Sequence, residues 1–247
     1  MKKVILGYPL LQLQTIDSTN NYASLLLRQE TVTEGTVILA VHQTGGRGQG
    51  GNQWISDKGM NLLFSIILKP DFLAVSKQFY LSMSVAAGIQ QYISDLEIPA
   101  LIKWPNDILT DGRKLAGVLI ENTVMGPNLS TSVIGIGLNV NQKVFPADLP
   151  NATSFTLETG KTFDLYDALQ KLLSCLEQRI NRLYEGRFVE IKSAYLNGLW
   201  MMNTWMSFAD NAGSFLGRIV DVAESGELVV KRQSGETSLY GIKEISY

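Results

Sequence analysis

Apolar and polar positions change period several times along the chain. LQLQTI (11–16) alternates as a half-buried strand does. Asp17-Ser18-Thr19-Asn20 then offers a run of helix N-cap residues, and YASLLLRQ continues as a helix. TVILAVHQ (36–43) and LLFSIILK (62–69) are apolar runs of strand length. Residues 77–97 carry apolar side chains at helical spacing and predict the best helix of the chain. LIKWPNDIL (101–109) and KLAGVLIEN (114–122) predict two strands joined by the turn Thr110-Asp111-Gly112-Arg113. TSVIGIGLNVN (131–141) predicts a further strand, and 163–183 and 187–199 two helices. From Trp205 the pattern shortens to SFLGRIVDV, ELVVKR and SLYGIKEI, with turns at 224–227 and 233–236. Hairpins outnumber crossovers. The expected fold is therefore α+β, with a mixed, largely antiparallel sheet and flanking helices over 1–200, and a small β domain over 201–247 packed on it.

Between the apolar runs 36–43 and 62–69 lies TGGRGQGGNQW (44–54), which contains Gly46-x-Gly48-x-x-Gly51. After a strand, with Asp71 about twenty positions on, this has the form of a dinucleotide-binding fingerprint. That motif needs a helix directly after its glycines, because the helix N-terminus holds the pyrophosphate. NQWISDKGMN has no helical period, Asp57-Lys58-Gly59 is a turn signal, and the gap from Gly51 to Leu62 is too short for a parallel crossover. The two apolar runs are expected to be antiparallel neighbours, and Asp71 a chance match.

Composition narrows the function classes. With 247 residues and 45% hydrophobic content, the chain can bury one large core with a small appendage. A net charge of −2 gives no overall attraction to nucleic acid or to an anionic membrane. One cysteine excludes an internal disulfide, and no apolar run reaches the ~18 residues of a transmembrane helix. MKKVILGYPLLQLQ is basic and then apolar, but Gly7, Pro9, Gln12 and Gln14 interrupt it and no small-residue cleavage site follows. A cytoplasmic protein is expected.

The side-chain inventory excludes several mechanisms. His42 has no Ser or Cys partner by spacing and reads as a strand residue with a satisfied ring. Cys175, among Leu172, Leu173 and Leu176, reads as core. No His, Cys and carboxylate cluster has metal-ligand spacing, and there is no P-loop. What remains suits an anion. Arg47 sits among five glycines in residues 45–51, where backbone N–H groups can approach a ligand and a guanidinium can grip a carboxylate or phosphate with two prongs. Trp54 can stack on a flat ring or fill core. Lys103, Asn106, Asp107 and Lys114 form a second polar loop, with Gly117 again permitting close approach. Pro105-Asn106-Asp107 is turn chemistry in its plainest reading, and both lysines read equally as solvated edge charges.

KWPND, RKLAGVLIEN and GIGLNVN, in that order after DSTN and a Q-x-x-G-R-G loop, resemble the bacterial-type biotin–protein ligases, biotin–[acetyl-CoA-carboxylase] ligases. The resemblance spans residues 17–141, and the C-terminal β module is also consistent with it. It implies a class II synthetase-like catalytic domain and an SH3-like barrel. It implies an ATP- and Mg²⁺-dependent reaction in which biotin becomes biotinyl-5'-AMP and then passes to a lysine of a biotin carboxyl carrier protein domain. Such chemistry needs positioning and charge neutralisation rather than a covalent nucleophile, which fits a chain with one His and one Cys. Biotin-binding positions carried over are Ser18, Thr19, Asn20, Gln43, Arg47, Gly48, Gln49, Lys114 and Gly117, with Ser18, Thr19 and Gln43 on the ureido ring. Arg47, spanning carboxylate and α-phosphate, and Lys114, at the same phosphate, are the implied catalytic residues. Arg47, Trp54, Asn106, Asp107 and Asn139 are the implied nucleotide positions, with Trp54 stacked on adenine and no dedicated protein metal site.

Two departures stand out. Many members of the family read G-R-G-R-x-G-R-x-W, whereas Gln49 and Asn52 replace two of those arginines here, so a looser hold on biotinyl-AMP is expected. Only sixteen residues precede Asp17, too few for a helix-turn-helix domain, so a form of the ligase without DNA binding is expected. No membrane partner is expected, and a homodimer is left open. Lipoate–protein ligases and octanoyltransferases share the fold and are the alternative enzyme reading; a non-catalytic binding module is the alternative outside enzymes.

Overall fold

The computed structural model describes residues 3–29 and 31–247. A seven-stranded sheet organises the first two hundred residues. β1 (Leu10–Ile16) runs through α1 (Thr19–Gln29) into β2 (Val37–Gln43), its parallel neighbour. β2 pairs antiparallel with β3 (Leu62–Leu68), as expected once a crossover is excluded. α2 (Phe79–Asp95) follows, then β4 (Leu101–Lys103), β5 (Asp107–Thr110), β6 (Arg113–Met125) and β7 (Asn128–Leu138). The sheet order is β1-β2-β3-β7-β6-β5-β4, and every pair except β1–β2 is antiparallel. The continuous strand expected over 101–109 is instead two short strands that pair with each other. Trp104-Pro105-Asn106 forms the turn between them, and the Trp104–Pro105 peptide is cis.

Alternation along the strands divides the core. Val37, Leu39, Phe64, Ile66 and Leu68 face the main core beneath α2 and α4 (Leu165–Tyr184). Ile38, Ile67 and Val133 face the other way and pack with Ala23, Leu26 and Leu27 of α1. Cys175 lies in the main core, as its leucine neighbours suggest. α5 (Phe188–Asn197) completes the helical layer. α3 (Phe155–Thr159) has no counterpart in the sequence reading. It is a five-residue helix held by the Ser154 cap and ended by Gly160 in the left-handed region, too short for a helical period to register.

β8 (Met206–Asp210), β9 (Gly213–Val222), β10 (Leu228–Arg232) and β11 (Thr237–Tyr240) form a second antiparallel sheet in the order β11-β10-β9-β8. After β11 the chain returns, and Ser246 pairs with Ala209 of β8, drawing the sheet round towards a barrel. Phe208, Ile219, Leu228 and Val230 belong to the same continuous core as α2 and β4. Trp104 donates its indole N–H to Gly226 O (2.8 Å), and Tyr80 donates to Glu224 (2.9 Å). The β9–β10 turn is thereby fastened to the Trp104 turn and to α2. Among the described residues, no helix is long and apolar enough to cross a membrane.

Candidate active site

One face of the large sheet carries both α1 and a cavity. On that face Ser65, Gly135, Gly137, Gly117, Leu119 and Glu121 follow one another across β3, β7 and β6, through the pairs Ser65↔Gly135, Gly117↔Gly137 and Leu119↔Gly135. Three glycines at adjacent positions remove the side chains from this patch, and strand glycines commonly mark such close approach. Other residues enter the space. A Cβ on Gly135 would lie 2.4 Å from Asn20 Oδ1, and one on Gly137 would lie 2.3 Å from Trp54 Cε2. The resulting cavity, about 210 Å³, is lined by Ser18, Thr19, Asn20, Gln43, Arg47, Gly48, Gln49, Trp54, Asn106, Asp107, Lys114 and Gly117, among others. Of the positions carried over from the family resemblance, Asn139 alone does not line it: its side chain is buried and its Oδ1 has no hydrogen-bond partner.

The start of α1 supplies one end of the cavity. Ser65 Oγ lies 2.7 Å from Thr19 Oγ1 and 2.6 Å from Asn20 Oδ1. Asn20 Nδ2 donates to Glu121 (2.8 Å) and Leu119 O (3.3 Å), so Asn20 Oδ1 is fixed as an acceptor. Ser65 has one proton, and it goes to Asn20. Thr19 must then donate to Ser65, which leaves the Thr19 oxygen as an acceptor. Gln43 Oε1 accepts the Thr19 N–H (2.7 Å), which leaves the Gln43 amide NH₂ as a donor. A hydrogen-bond acceptor and a donor are thus preset side by side.

The glycine loop is an ordered ribbon. Trp54 N bonds Gly46 O (3.0 Å), Arg47 bridges Gln53, and Gly48 N bonds Asn52 O (2.7 Å) around a turn at Gln49–Gly51. The N–H groups of Gly45, Gly48 and Trp54 are spent on this ribbon and on Asp17. The expected cradle of backbone donors is replaced at those three positions by a frame that presents side chains. Gly46 allows the frame to close, since a Cβ there would lie 2.3 Å from Trp54 O. Arg47 pairs with Glu121 (Nη2–Oε1 2.8 Å, Nη1–Oε2 3.2 Å) and donates to Asn21 Oδ1 (2.8 Å). Asn21 in turn donates to Asp17 (2.6 Å), which holds the Asp17 carboxyl below its usual value.

Lys114 and Gly117 are three residues apart, a spacing that puts them on opposite faces of a regular strand. A register shift in the β5–β6 pairing, where Ile108 faces Ala116 but Leu109 faces Lys114, inserts the extra residue that returns Lys114 to the Gly117 side. Its Nζ lies 2.7 Å from Asp107 Oδ1 and 5.6 Å from the centre of the Trp54 ring. Asn106 is tied to β6 twice, through Nδ2 to Val118 O (2.8 Å) and through its carbonyl, which accepts from Val118 N (2.9 Å). Lys103 is directed away, over the rings of Trp200 and Tyr247. His42 faces Thr15 across β1–β2, outside the cavity, and its buried Nδ1 has no partner, so the expected satisfied ring is not found. The sequence reading missed Asn21, Ser65, Glu121, Gly135 and Gly137. The two glycines inside a strand were the available signal.

A polar-ended cavity on a sheet face, framed by a glycine ribbon with Arg47 and by Lys114 on a bulge, defines a small-molecule site built for an anionic ligand. The profile of the Biotin/lipoate A/B protein ligase family matches residues 12–139, and the chain belongs to that family. It is 32% identical over 244 residues to the bifunctional ligase/repressor BirA of Bacillus spizizenii, covering 97% of this chain and 74% of that protein. It is 28% identical over 226 residues to the biotin–[acetyl-CoA-carboxylase] ligase of Paracoccus denitrificans, covering 89% of this chain and 92% of that one. The structure superposes on the biotin protein ligase of Aquifex aeolicus in complex with biotin and ATP with a TM-score of 0.79 at 28% identity, over 96% and 97% of the two chains.

Proposed function

We propose that the chain is an ATP-dependent biotin–protein ligase. The observation that carries this reading is the acceptor–donor pair made by Thr19 and Gln43 through Ser65 and Asn20. A ureido ring offers N–H donors and a carbonyl acceptor, the complement of that pair. The dithiolane of lipoate and the terminus of octanoate offer neither. The relatives named above, ligases of biotin, support the same substrate.

In the first step a carboxylate oxygen of biotin attacks the α-phosphorus of ATP. The bond from that phosphorus to the bridging oxygen breaks, and pyrophosphate leaves with the electron pair, giving biotinyl-5'-AMP. Arg47 binds the carboxylate and the α-phosphate, exchanging its Glu121 contact for them, and Lys114 balances charge at the same phosphate. Trp54 supplies an aromatic surface for adenine. In the second step the amine of a carrier lysine attacks the acyl carbon, AMP leaves, and the amine releases its proton to water.

No group of three or more His, Cys, Asp and Glu side chains among the described residues could hold a metal. Asp107 is the one carboxylate among the residues that line the cavity. With this donor set Mg²⁺ would be held mainly by the nucleotide phosphates, with the Asp107 carboxylate at hand, and would supply neutralisation of their charge. The carrier expected is a biotin carboxyl carrier domain. The test is to mix the chain with biotin, ATP, Mg²⁺ and such a domain and to follow the mass of the domain. One biotin should be added when every component is present, and none when the carrier lysine is changed to Arg. Transfer of lipoate or octanoate in place of biotin would contradict the reading.

A further inference from the structure

The cavity has a third cation besides Arg47 and Lys114, and it comes from the far end of the chain. Lys243 lines the cavity and donates from Nζ to Gly50 O (3.0 Å), across a separation of 193 residues. Gly50, with φ +67°, provides the notch: a Cβ there would lie 2.5 Å from Lys243 Cε and 2.8 Å from Nζ. Lys243 is itself in the left-handed region, at φ 72°. Its turn is pinned on both sides. Glu244 accepts from Gly241 N (2.6 Å), Tyr240 is paired with Leu228, Ile245 is buried in the core, and Ser246 is paired with Ala209. A non-glycine residue held in that conformation, with its side chain laid into a loop of another element, is a placed group.

Charge compensation separates the three cations. Arg47 is matched by Glu121 and Lys114 by Asp107, whereas Lys243 meets only a neutral carbonyl and has no carboxylate partner among the described residues. It therefore carries the net positive charge of the site. It approaches the ribbon beside Gln49 and near Asn52, the two positions that are neutral here. We propose that Lys243 binds a phosphate of the nucleotide, so that the turn after β11 supplies to the site a positive charge that the glycine loop lacks at Gln49 and Asn52. Lysine binds phosphate as a compact point charge, and an ammonium released from a neutral carbonyl loses little on the exchange. The inference rests on the adenylating reading given above.

The test uses the full chain and biotin-dependent pyrophosphate–ATP exchange, with Lys243→Ala, Lys243→Gln and Lys243→Arg compared at two salt concentrations. Loss of one charge-assisted contact should raise KM for ATP about tenfold in the Ala and Gln variants. KM for biotin should stay within about twofold, because the contact is made to the nucleotide alone. The Arg variant should recover most of the loss, and the salt dependence of KM for ATP should flatten in the Ala and Gln variants. Exchange by the unaltered chain with KM for ATP unmoved in Lys243→Ala would overturn the inference and leave the ligase reading intact. Equal increases in both KM values with unchanged salt dependence would reduce Lys243 to a latch on the loop, and so overturn it as well. Absence of exchange in the unaltered chain would remove the adenylating reading, and Lys243 as a phosphate ligand with it.

Discussion

Arg47 and Glu121 face each other as a two-pronged ion pair, with Nη2 2.8 Å from Oε1 and Nη1 3.2 Å from Oε2. The pair is partly solvent-exposed, at 44% and 34% for the two side chains, so it contributes under about 1 kcal/mol to stability. Its use is orientation. The planar fork is held by Glu121 and Asn21 at the mouth of the cavity, ready to exchange one carboxylate for another.

Lysine cannot reproduce that fork. Arg47→Lys should therefore lower kcat/KM for biotin-dependent exchange about a hundredfold, roughly 2.7 kcal/mol of transition-state stabilisation. The thermal midpoint should shift by less than about 2 °C, since little stability is at stake. A variant that lost activity only in proportion to lost folding would contradict the assignment.

Ser65 touches no ligand in this account and acts through Thr19 and Asn20 as a positioning residue. Ser65→Ala should free the Thr19 hydroxyl to donate elsewhere and should raise KM for biotin about tenfold, the value of one misdirected hydrogen bond. KM for ATP should change less than about twofold. Isothermal titration with biotin alone gives the same discrimination without catalysis. Equal weakening towards both substrates would show a general packing defect instead.

Gln49 and Asn52 line the cavity at the two positions where the family resemblance implies arginine. Gln49→Arg adds a cation close to the path of the anhydride. It should slow release of biotinyl-AMP about tenfold, as measured by a chase after single-turnover formation. Unchanged release would show that the neutral positions have no bearing on retention of the intermediate.

On the alkaline side the pH dependence of stability is carried by buried tyrosines and by Cys175, whose thiol is also pushed up by burial. Burial, and then the hydrogen bond to Glu224, push the Tyr80 phenol from 10.0 up to about 12. Tyr92, Tyr184, Tyr195 and Tyr247 are pushed up as well, each mainly by burial. A folded-state value above the unfolded one favours the neutral phenol. The stabilisation is complete below pH 10 and is lost as the pH rises from there through 12. Urea midpoints should begin to fall near pH 9, the ordinary value of a thiol such as Cys175, and fall more steeply above pH 10, each such tyrosine contributing up to about 1.4 kcal/mol per pH unit. Tyr80→Phe should make the decline shallower. Midpoints that stayed level up to pH 12 would contradict this account.

The sheet and the long helices were legible because each rests on a local signal, whereas the glycine loop was legible as a loop but not as a closed ribbon with the Gly45, Gly48 and Trp54 N–H groups spent. The short gap from Gly51 to Leu62 excluded a crossover, and β2 and β3 are antiparallel neighbours. The turn inside KWPND was less visible, since two apolar residues on either side, Leu101 and Ile102 and then Ile108 and Leu109, masked a hairpin of minimal length. Within the site, Ser18, Thr19, Gln43, Arg47, Trp54 and Lys114 could be carried over from motifs, and all of them line the cavity. Ser65 and Glu121 could not, because their importance comes from register. Ser65 faces Gly135 across strands far apart in sequence, and Glu121 reaches the site through Asn20 and Arg47, 101 and 74 residues away. Lys243 lies 193 residues from its partner, in a turn with no distinguishing composition.

The most direct measurement of the central claim is pyrophosphate–ATP exchange with Mg²⁺, run in parallel with biotin, lipoate and octanoate. The arrangement of Thr19, Gln43, Arg47 and Lys114 predicts exchange with biotin and none above background with the other two acids. Exchange with lipoate or octanoate in place of biotin would contradict the assignment of the polar end of the cavity, and no exchange with any of the three would contradict the reading of the chain as an adenylating ligase.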